Sequence, residues 1–139
     1  MENSENLIME PIEKEYAYED FSKMHVWKSA FDFLVKVYKV SKEFPDEEKY
    51  GLISDLRRSA NSVVHNIAEG FGRFETKDKT RFYKISRGST FEMISQLLVA
   101  KELNYMNGQV NYLITECTNI IRELSALIKS LESNSRALP

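Results

Sequence analysis

Four apolar stripes with helical spacing run through this chain and constrain its fold more than any other feature. Within each stripe the apolar residues recur every three or four positions, which is the pattern of an amphipathic helix. Short segments containing Pro45, Gly70, Gly72 and Asn107-Gly108 separate the stripes and predict turns. With only 5 Gly and 3 Pro in 139 residues, the chain has little material for the many tight turns of an all-β fold.

The stripes predict four helices: one from Val26 to about Pro45, and three spanning about 47–70, 76–104 and 109–132. Asp46 is expected to be an N-cap or turn residue before the second helix, and Thr76 is expected to cap the third. Four such helices joined by short turns predict an all-α, antiparallel up-down-up-down four-helix bundle over residues 21–133. Residues 1–20 are expected to form a flexible acidic extension, and residues 134–139 a C-terminal tail.

The third stripe contains polar and small residues that bear on helix packing. Its members are Phe82, Ile85, Ser89, Met93, Leu97, Ala100 and Leu103. Ser89 lies in the stripe and Gln96 near it, so both side chains, if buried, are expected to hydrogen-bond across helices. The Gly88-Ser89 pair predicts a close approach between helices, because glycine inside a helix costs up to ~1 kcal/mol relative to alanine. Helix register within the bundle, or a subunit contact, is favoured over a ligand site as the role of these residues.

The formal net charge of −2 conceals two oppositely charged parts of the chain. Residues 1–20 contain seven acids and one base, which gives this segment a charge of −6. Residues 21–139 contain 18 bases and 14 acids, which gives the helical body a charge of +4. The charge of the body therefore keeps nucleic acid among the possible partners.

Most of the informative bases lie in the second and third helices. Residues 57–87 contain eight bases and three acids. The eight bases are Arg57, Arg58, Arg73, Lys77, Lys79, Arg81, Lys84 and Arg87. Lys77, Arg81, Lys84 and Arg87 are expected on one face of the third helix, and residues 79–91 contain no acid. This face can hold phosphates, with Phe74 and Tyr83 available for stacking on bases. The same bases are interpreted equally well as a face that only makes the helix soluble, or as one that pairs with acids of a neighbour, without binding nucleic acid.

The sequence offers no catalytic or metal-binding motif. The two histidines, His25 and His65, lack the Glu-x-x-His spacing of di-iron bundles and are too few for a zinc site. There is no Gly-x-Ser-x-Gly elbow and no phosphate-binding loop. The single Cys117 lies among isoleucines and is expected to be a buried apolar residue. We therefore predict a protein that is not an enzyme and binds no cofactor or metal.

The expected compartment is the cytoplasm. A lone cysteine excludes an intrachain disulfide and fits a reducing environment. The acidic N-terminal residues do not resemble a signal peptide, and no stretch reaches the ~18 consecutive apolar residues of a membrane span. A membrane is therefore not an expected partner.

Self-association is predicted from the first helix. Its apolar stripe is too wide for one buried face, so it needs neighbours on two sides, within its own bundle or in another subunit. Trp27, Phe31 and Tyr38 are the aromatic candidates for an exposed oligomer interface.

Four blocks of sequence carry a resemblance to a known family. They are residues 21–30 (FSKMHVWKSA), residues 50–58, residues 66–73 (NIAEGFGR) and residues 81–100. Together they resemble the bacterial four-helix-bundle proteins that include those encoded in intervening sequences of large-subunit ribosomal RNA genes. The resemblance covers about residues 18–131. The family commonly has Pro-Ser where Val64 and His65 stand here, and loss of the proline predicts a straighter second helix.

The resemblance implies a four-helix protomer that commonly assembles into a ring-like homopentamer. It also implies similarity to the accessory variability determinant of diversity-generating retroelements, a basic barrel that binds nucleic acid and works with a reverse transcriptase. It supplies no biochemical activity for ordinary members of the family.

Two functional hypotheses follow. The first is a non-enzymatic homo-oligomer that binds RNA or DNA through the basic residues between positions 57 and 87. The alternative is a structural or adaptor protein whose oligomeric ring docks a protein partner without binding nucleic acid.

Overall fold

A computed structural model describes residues 20–106 and 108–137. This part of the chain is helical and contains no strand. The four α-helices are α1 (His25–Ser41), α2 (Leu52–Gly72), α3 (Thr76–Glu102) and α4 (Val110–Ala137), and short 3-10 helices cover Phe21–Lys23 and Asp46–Glu48. Apart from Asp20, the predicted acidic extension lies outside the described residues.

The helix boundaries differ from the predicted ones where local side chains decide them. The second helix begins at Leu52 rather than near position 47, because Asp46 belongs to a separate 3-10 turn. The N-cap residue of α2 is Gly51, and the Leu52 amide donates a hydrogen bond to Glu48 Oε2 (2.8 Å), so Glu48 rather than Asp46 satisfies the first amide of the helix. At the other end of the chain, residues 134–137 continue α4 instead of forming a tail.

All four helices contribute to one apolar core. Its largest fully buried side chains include Phe33 of α1, Leu56 and Ile67 of α2, Leu97 of α3 and Leu124 of α4. The most extensive helix contact is between α2 and α3, followed by α3 with α4, α1 with α2, and α1 with α4. The predicted stripes of the second and fourth helices are thereby confirmed as core-facing.

The buried face of α3 differs from the predicted stripe. Its buried residues are Thr80, Tyr83, Ser86, Thr90, Met93, Leu97 and Ala100. The predicted members Ile85 and Leu103 are exposed instead. Ser86 Oγ donates to the Val63 carbonyl oxygen (2.8 Å) and Thr90 Oγ1 to the Ser86 carbonyl oxygen (2.9 Å). Because their hydroxyls are satisfied, these small polar residues can be buried where α2 and α3 meet.

Ser89 and Gln96 hydrogen-bond across to α2, as expected, and an ion pair that was not predicted joins the same two helices. Ser62 Oγ and Ser89 Oγ lie 2.8 Å apart. Gln96 Nε2 donates to Ser59 Oγ (3.1 Å), and Arg58 pairs with Glu92. Later residues of α3 therefore contact earlier residues of α2.

The glycine that permits close helix approach is Gly70, not Gly88. A Cβ at Gly70 would lie 2.7 Å from Tyr83 Cε1 and 3.1 Å from the Lys79 carbonyl oxygen, whereas one at Gly88 would meet nothing within 4 Å. Tyr83 thus packs directly on the backbone of α2. Of the Gly88-Ser89 pair, Ser89 lies at the contact with α2, whereas Gly88 faces open space and contributes no close packing.

Replacing Gly70 by alanine is expected to destabilise the protein by about 1–3 kcal/mol, since the added methyl group overpacks the contact with Tyr83. The free energy of unfolding in urea measures this effect. Gly72→Ala is the matched control, because a Cβ at Gly72 meets nothing within 4 Å. Equal losses of stability in the two variants would contradict the packing argument.

Cys117 is buried in the core, as predicted. Desolvation, aided by the charge of Glu116, raises the pKa of its thiol to about 12. The thiol therefore stays protonated at neutral pH and behaves as an apolar side chain. Within residues 20–106 and 108–137, no helix is both long enough and apolar enough to span a membrane.

Candidate nucleic-acid interface

The eight bases of the predicted basic surface do not form one continuous patch. Arg57 is half-buried, and its Nε donates to Ser41 Oγ (2.8 Å) while its guanidinium lies 4.7 Å from the centre of the Tyr38 ring. It therefore belongs to the contact between α1 and α2. Arg58 is held on the other side of α2 by its 2.8 Å ion pair with Glu92.

Two bases of α3 are directed toward α4. Lys84 Nζ lies 2.6 Å from Glu132 Oε1. Arg87 Nε donates to Ser125 Oγ (2.8 Å), and its guanidinium lies 5.0 Å from the centre of the Phe91 ring. These two side chains link α3 to α4, and of the two only Lys84 pairs with an acid, as the interpretation of a face paired with a neighbour's acids expects.

Lys79 has a structural role at the end of α2. Its Nζ donates to the carbonyl oxygens of Phe71 (2.7 Å) and Gly70 (3.4 Å). The last carbonyl groups of a helix lack partners within the helix and carry partial negative charge, so a lysine here stabilises the helix end. This role is recognisable in sequence only as a base that follows a predicted helix end.

The remaining arginines converge on one aromatic ring. Arg73 follows α2 and Arg81 lies in the second turn of α3, and their guanidinium carbons lie 4.8 Å and 4.4 Å from the centre of the Phe82 ring. We call Arg73, Arg81 and Phe82 the arginine–phenylalanine cluster. Each arginine also meets an acid, Arg73 with Glu69 at 2.6 Å and Arg81 with Asp78 at 3.7 Å.

The turn between α2 and α3 presents an exposed aromatic ring beside this cluster. Phe74 is 97% exposed, and it shares an open groove with Arg73, His65 and Glu69. Lys77 is exposed, and within the part of the chain that the structure describes it makes no ion pair. Phe74 and Lys77 thus provide a free ring and a free charge near the two guanidinium groups that contact Phe82.

Of the two aromatic residues expected to stack on bases, only Phe74 is available. Tyr83 is 3% exposed and packs against Gly70, so it belongs to the core. Burial also raises the pKa of its hydroxyl. The expectation that Tyr83 contacts a ligand is therefore wrong.

The described part of the chain brings together no group of three or more side chains suited to hold a metal ion. His25 Nδ1 lies 2.9 Å from Glu123 Oε2, and His65 Nε2 lies 3.3 Å from Asn61 Oδ1. Both histidines are exposed and contact a neighbouring polar side chain.

The predicted interface residues of the first helix occupy different environments. Trp27 is buried within the protomer, stacked on Phe31 (5.0 Å between ring centres) and packed edge-on against Phe21 (5.1 Å). Phe31 is half-buried. Tyr38 is exposed, but its ring lies under Arg57 and its hydroxyl accepts a hydrogen bond from Asn61 (2.9 Å). The prediction that Trp27 is exposed is wrong.

The structure has a second exposed apolar surface, which the sequence-based expectations do not include. It lies on the C-terminal half of α3 and on the residue that follows the helix, and it comprises Phe91, Leu98, Val99 and Leu103, which are 46–50% exposed. We call it the α3 apolar surface. Phe91 and Leu98 are seven residues apart, the spacing of one helix face, and this spacing is the signal from which the surface could have been found.

The fold and the residues around Phe74 define a small all-α protein of four helices, with arginine and aromatic side chains exposed at the turn between α2 and α3. A family model described as "23S rRNA-intervening sequence protein" matches residues 22–126. The chain belongs to this family.

A solved structure supports the fold. It is the crystal structure of a protein of unknown function from the S23 ribosomal protein family of Bacteroides thetaiotaomicron, with a TM-score of 0.70 and 22% sequence identity. The superposition covers 75% of this chain and 98% of that chain. No curated protein matches the sequence.

Proposed function

We propose that this chain is a non-enzymatic, homo-oligomeric protein that binds single-stranded RNA or DNA through Phe74, Lys77 and the arginine–phenylalanine cluster. The observation that carries the proposal is the 97% exposure of Phe74 near two guanidinium groups that contact the Phe82 ring. An exposed phenylalanine gains almost nothing from burial in its own protein. Stacking on a nucleobase removes the ring from water and is insensitive to base identity.

The two guanidinium groups suit the phosphates that flank a stacked base. Phe82 holds both groups in place, so less side-chain freedom is lost when they bind an anion. Their acidic neighbours do not prevent this, because exposed ion pairs are worth only about 0–1 kcal/mol. A phosphate can therefore replace Glu69 or Asp78 as the partner of either arginine.

Single strands fit this surface better than a duplex does, since a stacking ring needs an unpaired base.

The proposed assembly places four antiparallel, up-down-up-down helices in each protomer and several protomers in one ring, a homopentamer by resemblance to the family. Contacts of Arg58 with Glu92 and of Ser62 with Ser89 support the antiparallel pairing of α2 with α3. We assign the α3 apolar surface to the contact with the next protomer, because a group of exposed apolar side chains is unfavourable in water.

Binding of a fluorescein-labelled, single-stranded RNA 20-mer, followed by anisotropy, tests the proposal. Displacement of counterions from about three phosphates predicts a slope near −2 for log affinity against log salt. Affinity should therefore fall about 20-fold between ~50 and ~200 mM salt. Absence of binding at ~50 mM salt would overturn the proposed function.

The α3 apolar surface also favours the alternative, an adaptor ring whose protomers contact one another through the first helix, as the sequence predicts, and whose α3 surface docks a protein partner. A ring that fails to bind RNA or DNA at low salt, but binds a purified protein partner through this surface, is the result expected of an adaptor.

A further inference from the structure

A basic groove lies along the first three turns of α3. It is lined by Thr76, Lys77, Arg81, Lys84 and Ile85, and the side of α4 closes it with Glu132 and Ser135. Ile85 is exposed there despite being apolar. Asp78 also borders the groove, and Asp78 and Glu132 are engaged by Arg81 and Lys84. The groove therefore offers one apolar contact and the unpaired charge of Lys77.

A segment of this same chain has the complementary composition. Residues 1–19 contain six glutamates and one base, Lys14, which gives them a charge of −5. Four apolar residues lie among the glutamates: Leu7, Ile8, Met9 and Ile12. A segment that is both acidic and apolar suits a groove that combines lysine and arginine side chains with an exposed isoleucine.

The start of the described chain lies within reach of this groove. His25 of α1 contacts Glu123 of α4 (2.9 Å). Glu132, at the wall of the groove, is nine residues further along α4, a distance of about 13.5 Å at 1.5 Å per residue. Nineteen residues can span up to about 60 Å when extended. The length of residues 1–19 therefore suffices to reach the groove and to lie along it.

We propose that residues 1–19 dock in the basic groove of their own chain, with glutamates beside Lys77, Arg81 and Lys84 and an apolar side chain on Ile85. The docked segment covers Lys77 and Arg81, two of the cations assigned to nucleic acid. The segment thereby acts as an internal competitor of nucleic acid, a consequence that rests on the proposed function, whereas docking itself does not.

Carbodiimide cross-linking of the full chain, read by mass spectrometry of peptides, tests docking without nucleic acid. The reagent joins a carboxylate to a lysine amine as an amide, and it takes up the released water itself to become a urea. The pair of Lys84 with Glu132, 2.6 Å apart, is an internal positive control. We expect cross-links from glutamates of residues 1–19 to Lys77 or Lys84. We also expect these cross-links to be lost in ~1 M salt, where charges more than about 3 Å apart are screened from one another.

Lys101, exposed at the other end of α3, is the matched control position. Cross-links from residues 1–19 to Lys101 that are as frequent as those to Lys77 would overturn the proposal. A mixture of ¹⁵N-labelled and unlabelled protein identifies the chain that supplies each partner. Cross-links found mainly between labelled and unlabelled peptides would also overturn it, since they place the segment on a neighbouring subunit.

A separate measurement tests the competition. The full-length variant with Glu10, Glu13, Glu15 and Glu19 each replaced by glutamine is expected to bind the RNA 20-mer roughly tenfold more tightly, because a few exposed ion pairs no longer compete. Unchanged affinity in a protein that binds RNA would refute the competition. A protein that shows the cross-links but binds no RNA would refute the proposed function and leave docking supported.

Discussion

Replacing Phe74 by alanine is expected to weaken binding of single-stranded RNA by about 5- to 150-fold, which corresponds to the ~1–3 kcal/mol of one aromatic stacking contact. The ring is 97% exposed, so its removal deletes no core contact. The free energy of unfolding should therefore stay within about 0.5 kcal/mol of the unmodified protein. Anisotropy titration at ~50 mM salt and urea unfolding measure the two quantities.

Tyr50→Ala is the matched control for Phe74→Ala. Tyr50 is also a largely exposed aromatic residue, 88% accessible, with Lys49 near its ring. It precedes α2 whereas Phe74 follows it, and 21 residues of helix, about 31 Å, lie between them. We expect Tyr50→Ala to leave the affinity unchanged. Equal losses in the two variants would show that exposed aromatic rings contribute without regard to site, against a defined interface at the turn between α2 and α3.

Placing a glutamate at Leu98 is expected to abolish self-association and leave a monomer of 16.2 kDa. Leu98 is 50% exposed in the protomer, so the fold can accept a charged side chain there. In the proposed assembly the same position is covered by a neighbouring protomer. A carboxylate without a partner at such a contact costs several kcal/mol, which exceeds what one apolar residue contributes to an interface. Light scattering at micromolar concentration measures the mass.

Val35→Glu is the control for Leu98→Glu, because Val35 is an exposed valine on α1 rather than on α3. We expect this variant to keep the mass of the assembly. If Val35→Glu dissociates the assembly and Leu98→Glu does not, the interface lies on the first helix, as the sequence predicts. A monomeric unmodified protein would contradict self-association altogether.

Dissociation by Leu98→Glu should also reduce the affinity for RNA, although Leu98 lies outside the proposed RNA interface. An assembly presents several copies of Phe74 to one strand, and binding at the second copy is then intramolecular. The loss should be larger for a long RNA than for one that spans a single site. A loss independent of RNA length would indicate damage to the individual site.

The helices of this protein were largely predictable because their apolar residues follow a helical period. The stripe of the fourth helix, including Val110, Leu124 and Ile128, is buried as expected. The third helix shows where this reasoning stops. Its core face contains Thr80, Ser86 and Thr90, which hydropathy alone assigns to the surface. These residues become core residues because backbone carbonyl groups accept their hydrogen bonds.

The candidate site was predictable in composition but not in arrangement. The excess of bases between positions 57 and 87 is visible in sequence, as is Phe74 in a predicted turn. Sequence does not show that Lys79 caps α2 or that Arg57 joins α1 to α2. Such roles depend on carbonyl and hydroxyl groups of other elements, which lie close to the bases only after the helices have packed.

The sequence by itself determined the all-α class, the four helices, the separation of charge and the family. Each of these depends on residues near one another in the chain, because a helical period and a run of acids are local properties. The tertiary structure decided which charges remain free and which aromatic ring is exposed. In the sequence, Tyr83 and Phe74 are both aromatic residues among the same bases. Only the packing of the helices shows that Tyr83 is buried against Gly70, whereas Phe74 stays exposed for a ligand.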